Sequence, residues 1–333
     1  LRHGGAGEIP PERRESMNET ASGTQPGIGE ASYLGFFGLN ELPFTLTPNT
    51  SFYFGLPPHE EAIAVVRVAL AGGEGIIKIT GEVGTGKTML LRRIMNNILP
   101  ADAFICYFPN PYLSAAELRE ALAHELGAEK SEGMSTVTDA INHRLIELKK
   151  EGRSVVVFID EAQALPDETL EAVRLFGNLE TESSKLLQIV LFGQPELDER
   201  LARPEFRQLR QRIAFSYRLR PRTMNETDAY IASRLRAAGY RGQVLFPRRS
   251  VRKIWRASRG IPRLINILSH KCLMLAFGRG SPVVKGSDVK GAIRDTEDAW
   301  GNYMRRRATF FFMASAVILI IIAAVIVGIA EVL

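Results

Sequence analysis

GIIKITGEVGTGKTMLLRRI, residues 75–94, is the stretch whose reading decides the fold. It opens with a short apolar, β-branched run, continues into a glycine-rich loop, and after Lys87 takes up helical spacing. Strand, loop and helix in that order begin an α/β unit. The loop, Gly81 to Thr88, reads GEVGTGKT and fits GxxxxGK[ST]. Glycines at that spacing let successive backbone N–H groups turn inward around a phosphate, and the helix N-terminus adds its positive end. Gly81, Glu82, Val83, Gly84, Thr85, Gly86, Lys87 and Thr88 are therefore the candidate residues for holding the phosphates of a nucleotide. Lys87 would bridge the β- and γ-phosphates and the Thr88 hydroxyl would ligate Mg2+.

Outward from that loop, further strands are expected at 103–108, 154–159 and 186–192, with a shorter one near 214–219. Between them lie helical segments at 114–127, 136–150 and 167–179. The first is opened by Ser114 with Glu117 three residues on, a capping box, and closed by Gly127. Alternating strands and helices predict a parallel sheet covered on both faces. After Pro221 the strand signals stop, and helices are expected at about 226–238, 250–258, 262–277 and 287–299. The predicted organisation is a tail at 1–31, disordered on its Gly, Pro, Glu, Ser and Thr content, an α/β P-loop core at 32–221, and a small all-helical lid domain at 222–303.

A phosphate loop needs an acidic partner on a neighbouring strand. VVVFIDEAQ, residues 155–163, supplies one: Asp160 would position Mg2+, and Glu161 would orient and deprotonate the attacking water, a pairing that signals hydrolysis. In LLQIVLFGQPEL, residues 186–197, Gln194 would emerge on the same sheet edge close to the γ-phosphate. The residues alone read equally well as a turn before Pro195. EFRQLRQRIAF, residues 205–215, carries Arg207, Arg210 and Arg212. An arginine reaching a neighbouring subunit's γ-phosphate would make hydrolysis depend on assembly, with Arg212 the favoured finger and Arg210 the next. In GIPRLIN, Arg263 stands at a helix start and would couple the lid to the nucleotide.

Composition narrows the remaining choices. The 333 residues are 45% hydrophobic and hold two cysteines, Cys106 and Cys272, without a CxxC or Cys/His cluster, so a disulfide scaffold and a structural zinc site are excluded. His59, His124, His143 and His270 show no ligand spacing and are assigned to packing or surface. Residues 1–200 carry 17 basic and 29 acidic side chains, net −12, whereas residues 201–308 carry 25 and 7, net +18. Nucleic acid, anionic lipid, or the acidic face of a neighbouring subunit would each answer such an asymmetry. ATFFFMASAVILIIIAAVIVGIA, residues 308–330, has 23 residues and no charge, long enough for one transmembrane helix. Arg305, Arg306 and Arg307 precede it, which puts the large N-terminal part in the cytoplasm of a single-pass protein.

Together these residues resemble a family. The P-loop, YLGFFGLNELPF at 33–44, TPNTSFYFGLPPHEEA at 47–62, NPYLSAAELREALAHELG, IDEAQAL, NLETESSKLLQIVLFGQPEL, LRQRI, ETDAYIASRLRAAG and GIPRLINIL are similar to AAA+ ATPases of the ExeA type. These form the general secretion pathway protein A family, with the related pilus-biogenesis ATPases. The resemblance spans about residues 33–300. It implies ATP and Mg2+, a homo-oligomeric ring, and a bacterial inner-membrane ATPase that drives a secretion, pilus or exopolysaccharide-export assembly through an envelope partner. It makes Gly38, Leu39 and Phe44 candidates for holding the adenine, whereas the residues alone read as apolar packing. It also makes Gln194 a sensor 1 candidate and Arg263 a sensor 2 candidate. Such proteins commonly continue into a periplasmic peptidoglycan-binding domain; with three residues after the apolar run, no direct peptidoglycan contact is expected. The rival expectation is a DNA-associated AAA+ ATPase of the transposition-helper or initiator kind, using the basic second part on phosphates. Nucleic acid ranks behind the envelope reading, because no winged helix or helix-turn-helix follows the lid.

Overall fold

The computed structural model describes residues 28–46, 55, 57–109, 112–128, 136–182 and 184–299. The expected transmembrane segment and most of the expected tail lie outside them, and among the described residues no helix is long and apolar enough to cross a membrane.

Five strands, β1 (Ile76–Gly81), β2 (Phe104–Phe108), β3 (Val155–Ile159), β4 (Gln188–Gly193) and β5 (Ile213–Leu219), form one parallel sheet in the order β2-β3-β4-β1-β5. The alternation of side chains along each strand explains why β3 is buried throughout. Val155, Val157 and Ile159 face one apolar layer, built with α4 (Ala115–Leu126), α5 (Val137–Lys150) and α6 (Asp167–Phe176). Val156 and Phe158 face the other, built with α2 (Pro57–Ala71) and α3 (Lys87–Asn97). At the sheet edge β5 alternates half-buried and exposed residues until Leu219, since only one of its faces is covered.

The expected local signals are present. Ser114 and Glu117 close a reciprocal capping box on α4, and Gly127 ends that helix at φ 66°. α7 (Pro195–Leu201) starts on a proline, whose missing N–H is no loss at a first helical position. Short α8 (Arg207–Arg212) leads into β5.

Beyond Leu219 the chain is helical: α9 (Met224–Ala237), α10 (Arg248–Ser258), α11 (Pro262–Gly278) and α12 (Gly286–Arg294). Their core also takes in the N-terminal segment, which departs from the boundaries expected from sequence. α1 (Ile28–Phe37) begins inside the stretch read as a tail. Tyr33, Leu34, Phe37, Leu39 and Phe44 bury themselves among α9, α10 and α11 rather than against the sheet. Tyr33 meets His270 edge-on with a 3.2 Å hydroxyl contact, and Asn40 N–H donates to Ala238 O at 2.8 Å. The segment 33–44 is apolar on its inward positions, and the helical domain offers it an apolar surface. The helical domain is thus assembled from two parts of the chain flanking the α/β domain.

Candidate functional site

The loop from β1 into α3 turns on two glycines in the left-handed region. Gly84 (φ 80°) has no room for a side chain: a Cβ there would stand 2.6 Å from Arg263 Cβ. Gly86 (φ 97°) forms the N-cap of α3 without any side-chain cap, and a Cβ would press at 3.1 Å on the His59 ring. The first N–H groups of α3 are left for an anion rather than for a capping side chain.

Lys87 is buried, and its ammonium donates to Gly81 O at 2.7 Å and Glu82 O at 3.3 Å. Burial lowers its pKa, with Glu161 and Asp160 acting in the opposite direction. Thr88 Oγ1 donates to Asp160 Oδ2 at 3.0 Å. Burial also raises the Asp160 pKa, against the hydrogen bonds it accepts from Glu161 N–H and Thr88.

At the tip of β3 the backbone of Glu161 adopts φ 51°, ψ 36°, a conformation rare outside glycine and costing on the order of 1 kcal/mol. The kink brings the carboxylate to two amide donors: Gln163 Nε2 at 2.6 Å and Gln194 Nε2 at 3.0 Å, both on Oε2. Gln163 Oε1 in turn accepts Gln194 N–H at 2.9 Å, and Arg200 donates to Gln163 O at 2.6 Å. Burial works to raise the Glu161 pKa, but the bonds from Gln194 and Gln163 and the Lys87 charge outweigh it, so the carboxyl is held below its ordinary range. Gln194 is both the extended N-cap of α7 and a ligand of Glu161. Its place is fixed by Asp198 on α7, which pairs with Lys78 and accepts Thr80 Oγ1 at 2.8 Å from β1. Gln163 was not singled out from sequence; only its position three residues after Asp160 hinted at it.

The loop, Glu161 and Gln194 form one wall of a cleft of about 380 Å³. The facing wall belongs to the helical domain. Arg263 stands on the first turn of α11, and its N–H donates to Gly84 O at 3.2 Å. Tyr230 hydroxyl donates to Asn266 Oδ1 at 3.0 Å, Asn266 Nδ2 donates to Thr45 O at 3.3 Å, and Arg234 Nε donates to Pro43 O at 2.6 Å. Arg222 lies over the Tyr230 ring at 4.4 Å. Of this wall only Arg263 was among the sequence candidates; Tyr230, Asn266, Arg234, Arg222 and Thr45 were not. A groove of similar size, about 410 Å³, opens beside α4 and α6 over Ala116, Leu175 and Phe176, but none of the loop residues reaches it.

Two expectations are corrected. Gly38, Leu39 and Phe44 do not line the cleft: Leu39 and Phe44 are core residues of the helical domain, Phe44 edge-on to Phe246. Gly38 follows α1 at φ 65°. Because these side chains turn inward, the next two residues, Thr45 and Leu46, reach the cleft instead. His59 belongs to the site as well as to the packing: its neutral Nε2–H donates to Thr85 O at 3.1 Å, and burial, with the nearby Arg222 charge, lowers its pKa to about 4. Arg210 and Arg212, expected to reach a neighbouring subunit's nucleotide, lie on α8 outside the cleft of their own chain; Arg210 donates to Ala202 O at 3.1 Å and Arg212 is exposed. Among the described residues no group of three His, Cys, Asp or Glu could hold a metal by itself. Thr88 and Asp160 offer hard oxygen donors of the kind that suit Mg2+ shared with phosphates.

Residues 70–201 match the family model described as AAA domain. Over 276 residues the chain is 41% identical to general secretion pathway protein A of Aeromonas hydrophila, an alignment covering 80% of this chain and 50% of that protein. The chain therefore spans about half the length of this curated relative. Among solved structures, Cdc6p from Pyrobaculum aerophilum superposes with a TM-score of 0.57 at 17% identity, over 75% of this chain and 69% of that one. ORC2 of Aeropyrum pernix in its ADP form gives 0.56 at 16%, over 77% and 72%. At such identities these two show a shared fold.

Proposed function

From a chain that is an AAA+ protein similar to general secretion pathway protein A, we propose an ATPase that binds ATP with Mg2+ between its two domains and hydrolyses it to ADP and phosphate. The observation that carries this is the Glu161 carboxylate, kept ionised by Gln163 and Gln194 beside the Thr88–Asp160 pair. A carboxylate oriented by two amides is suited to take a proton from an attacking water. Lys87 and the N–H groups of the loop hold the β- and γ-phosphates, and Thr88 and Asp160 hold Mg2+, which neutralises charge on the phosphate oxygens. Gln194, bonded to Glu161, relays whether the γ-phosphate is present, and Arg263 ties that state to the helical domain. The base lies against Thr45, Tyr230 and Asn266, with the exposed Leu46 and Val83 as apolar rims.

The active form is a homo-oligomer in which Arg212, or Arg210, of one subunit meets the nucleotide of the next. Residues 308–330 anchor the chain once in a bacterial inner membrane with the ATPase on the cytoplasmic side. Its work is the assembly or placement of an envelope machine for secretion, pilus formation or exopolysaccharide export, through a membrane-protein partner. The test is the rate per subunit of the full chain in detergent across a concentration series, with Glu161→Gln beside it. The parent rate should climb with concentration, and the variant should bind ATP without turning it over. A flat rate from a monomeric parent removes Arg212 and Arg210, and parental turnover in the variant removes Glu161 as the base.

A further inference from the structure

α10 carries an arrangement that nucleotide chemistry does not use. Residues 248–259 read RRSVRKIWRASR, with six basic side chains and no acidic one. At about 100° per residue, Arg248, Arg249, Arg252, Lys253 and Arg256 share an arc of about 140°, and Arg259 follows as the left-handed C-cap of the helix. Ser250, Val251, Ile254, Ala257 and Ser258 occupy the opposite side and are buried in the helical domain. The five arginines are exposed. Ion pairs elsewhere in this domain engage Lys271 with Asp295 and Arg279 with Asp288; among the described residues none engages Arg249, Arg252 or Arg256. Two of the arginines stand at the helix N-terminus, where the helix dipole opposes positive charge. This face is electrostatically unfavourable by itself, and an anionic surface would relieve it.

We infer that the basic face of α10 rests on anionic lipid headgroups of the membrane that anchors the chain. The inference depends on the reading of 308–330 as a membrane span. Ala299 is still buried in the core that α10 closes, and only residues 300–307 separate it from that run. So short a tether reaches at most about 30 Å when fully extended. The helical domain is thereby held near the bilayer at a high effective concentration. α12, the last helix before the tether, packs on both α10 and α11, so the basic helix belongs to the anchored end of the molecule. Each arginine brought to an anionic bilayer contributes attraction that falls off within a Debye length. The indole of Trp255, the one aromatic side chain on α10, is half-buried and donates its N–H to Arg222 O at 3.0 Å.

The test is arginine footprinting of the full chain with a dicarbonyl reagent, read by mass spectrometry, in vesicles of phosphatidylcholine alone or with about 30% phosphatidylglycerol. Arg249, Arg252 and Arg256 should be modified about fivefold more slowly in the anionic vesicles, and about 0.5 M salt should restore their rate. Exposed Arg67, on α2 of the other domain, should be unaffected. Equal rates in the two vesicle types overturn the inference. So does protection in neutral vesicles that appears only with added duplex DNA, which assigns the face to nucleic acid, or only with rising chain density, which assigns it to a second copy. Flotation after an alkaline wash reports the span separately: a retained chain without the footprint loses only the lipid face, and a released chain that shows the footprint loses only the span.

Discussion

The two walls of the cleft are built in opposite ways. The α/β wall is local: Asp160, Glu161 and Gln194 stand just past the ends of the adjacent parallel strands β3 and β4, and Lys87 opens α3 at the close of the loop after β1, so each is positioned by its own strand and the turn that follows. The helical wall is made of buried polar side chains joined across long stretches of sequence. Arg234 meets Pro43 across 191 positions and Asn266 meets Thr45 across 221. A wall whose groups lie at strand tips can carry chemistry, because a rigid sheet sets their geometry. A wall assembled from distant segments is suited to recognise and to move.

If that division holds, damage to the first wall affects turnover and damage to the second affects affinity. The largest effect is expected from Glu161→Gln: single-turnover hydrolysis should fall by about 10³ with nucleotide binding retained. A fall of less than tenfold would mean that the local wall does not hold the base.

The next concerns His59, which supports the loop from behind. In the unfolded chain its imidazole takes up a proton near 6.5, whereas in the folded protein it resists until about pH 4. Between those values the unfolded state binds more protons, so this contribution is complete above pH 6.5 and is lost as pH falls toward 4. The loss is on the order of 3 kcal/mol. Chemical denaturation of the parent and of His59→Gln at pH 7 and pH 4.5 checks it: the variant's stability should depend less on pH over that interval.

Gln163→Ala sharpens the picture of the local wall. It removes one donor from Glu161 and the acceptor of Gln194 N–H, so the carboxyl pKa rises and the acid limb of the kcat profile moves to higher pH. Turnover at neutral pH should drop about tenfold. An unshifted acid limb would show that Gln163 does not tune the base.

The smallest effect is expected on the other wall. Asn266→Ala breaks the link between Tyr230 and Thr45, and KM for ATP should rise about fivefold with kcat unchanged. A loss of kcat at constant KM would contradict the division itself.

The same contrast explains what could be read from the sequence. The phosphate loop, the Asp160–Glu161 pair and the parallel sheet were legible because their signals are contiguous: a β-branched run, a fixed glycine spacing, a carboxylate pair after a buried strand. Gln163 was not, because its contact depends on the left-handed turn at Glu161, which is unusual for a glutamate. The helical wall escaped for a different reason. Leu39 and Phe44 are apolar and near the right place in the chain, yet apolar character alone does not tell a core position from a cleft position. Tyr230, Arg234 and Asn266 gave no local sign that they would converge on Thr45. The helical domain was also drawn too small, since the complementarity between segment 33–44 and α9 to α11 is a property of the folded surfaces.

A domain made from both flanks of another imposes an order on its own synthesis. Residues 33–44 leave the ribosome long before their partners exist: Arg234 lies 191 positions after the Pro43 carbonyl it will bind. At about 5–20 residues per second, the apolar side chains of Tyr33, Phe37 and Phe44 wait about 10–40 s before α9 is available. The α/β domain, complete by Leu219, has time to fold in that interval. The helical domain then closes around a segment that must meanwhile be kept from sticking elsewhere, so residues 33–44 are where a nascent chain of this protein most needs a chaperone.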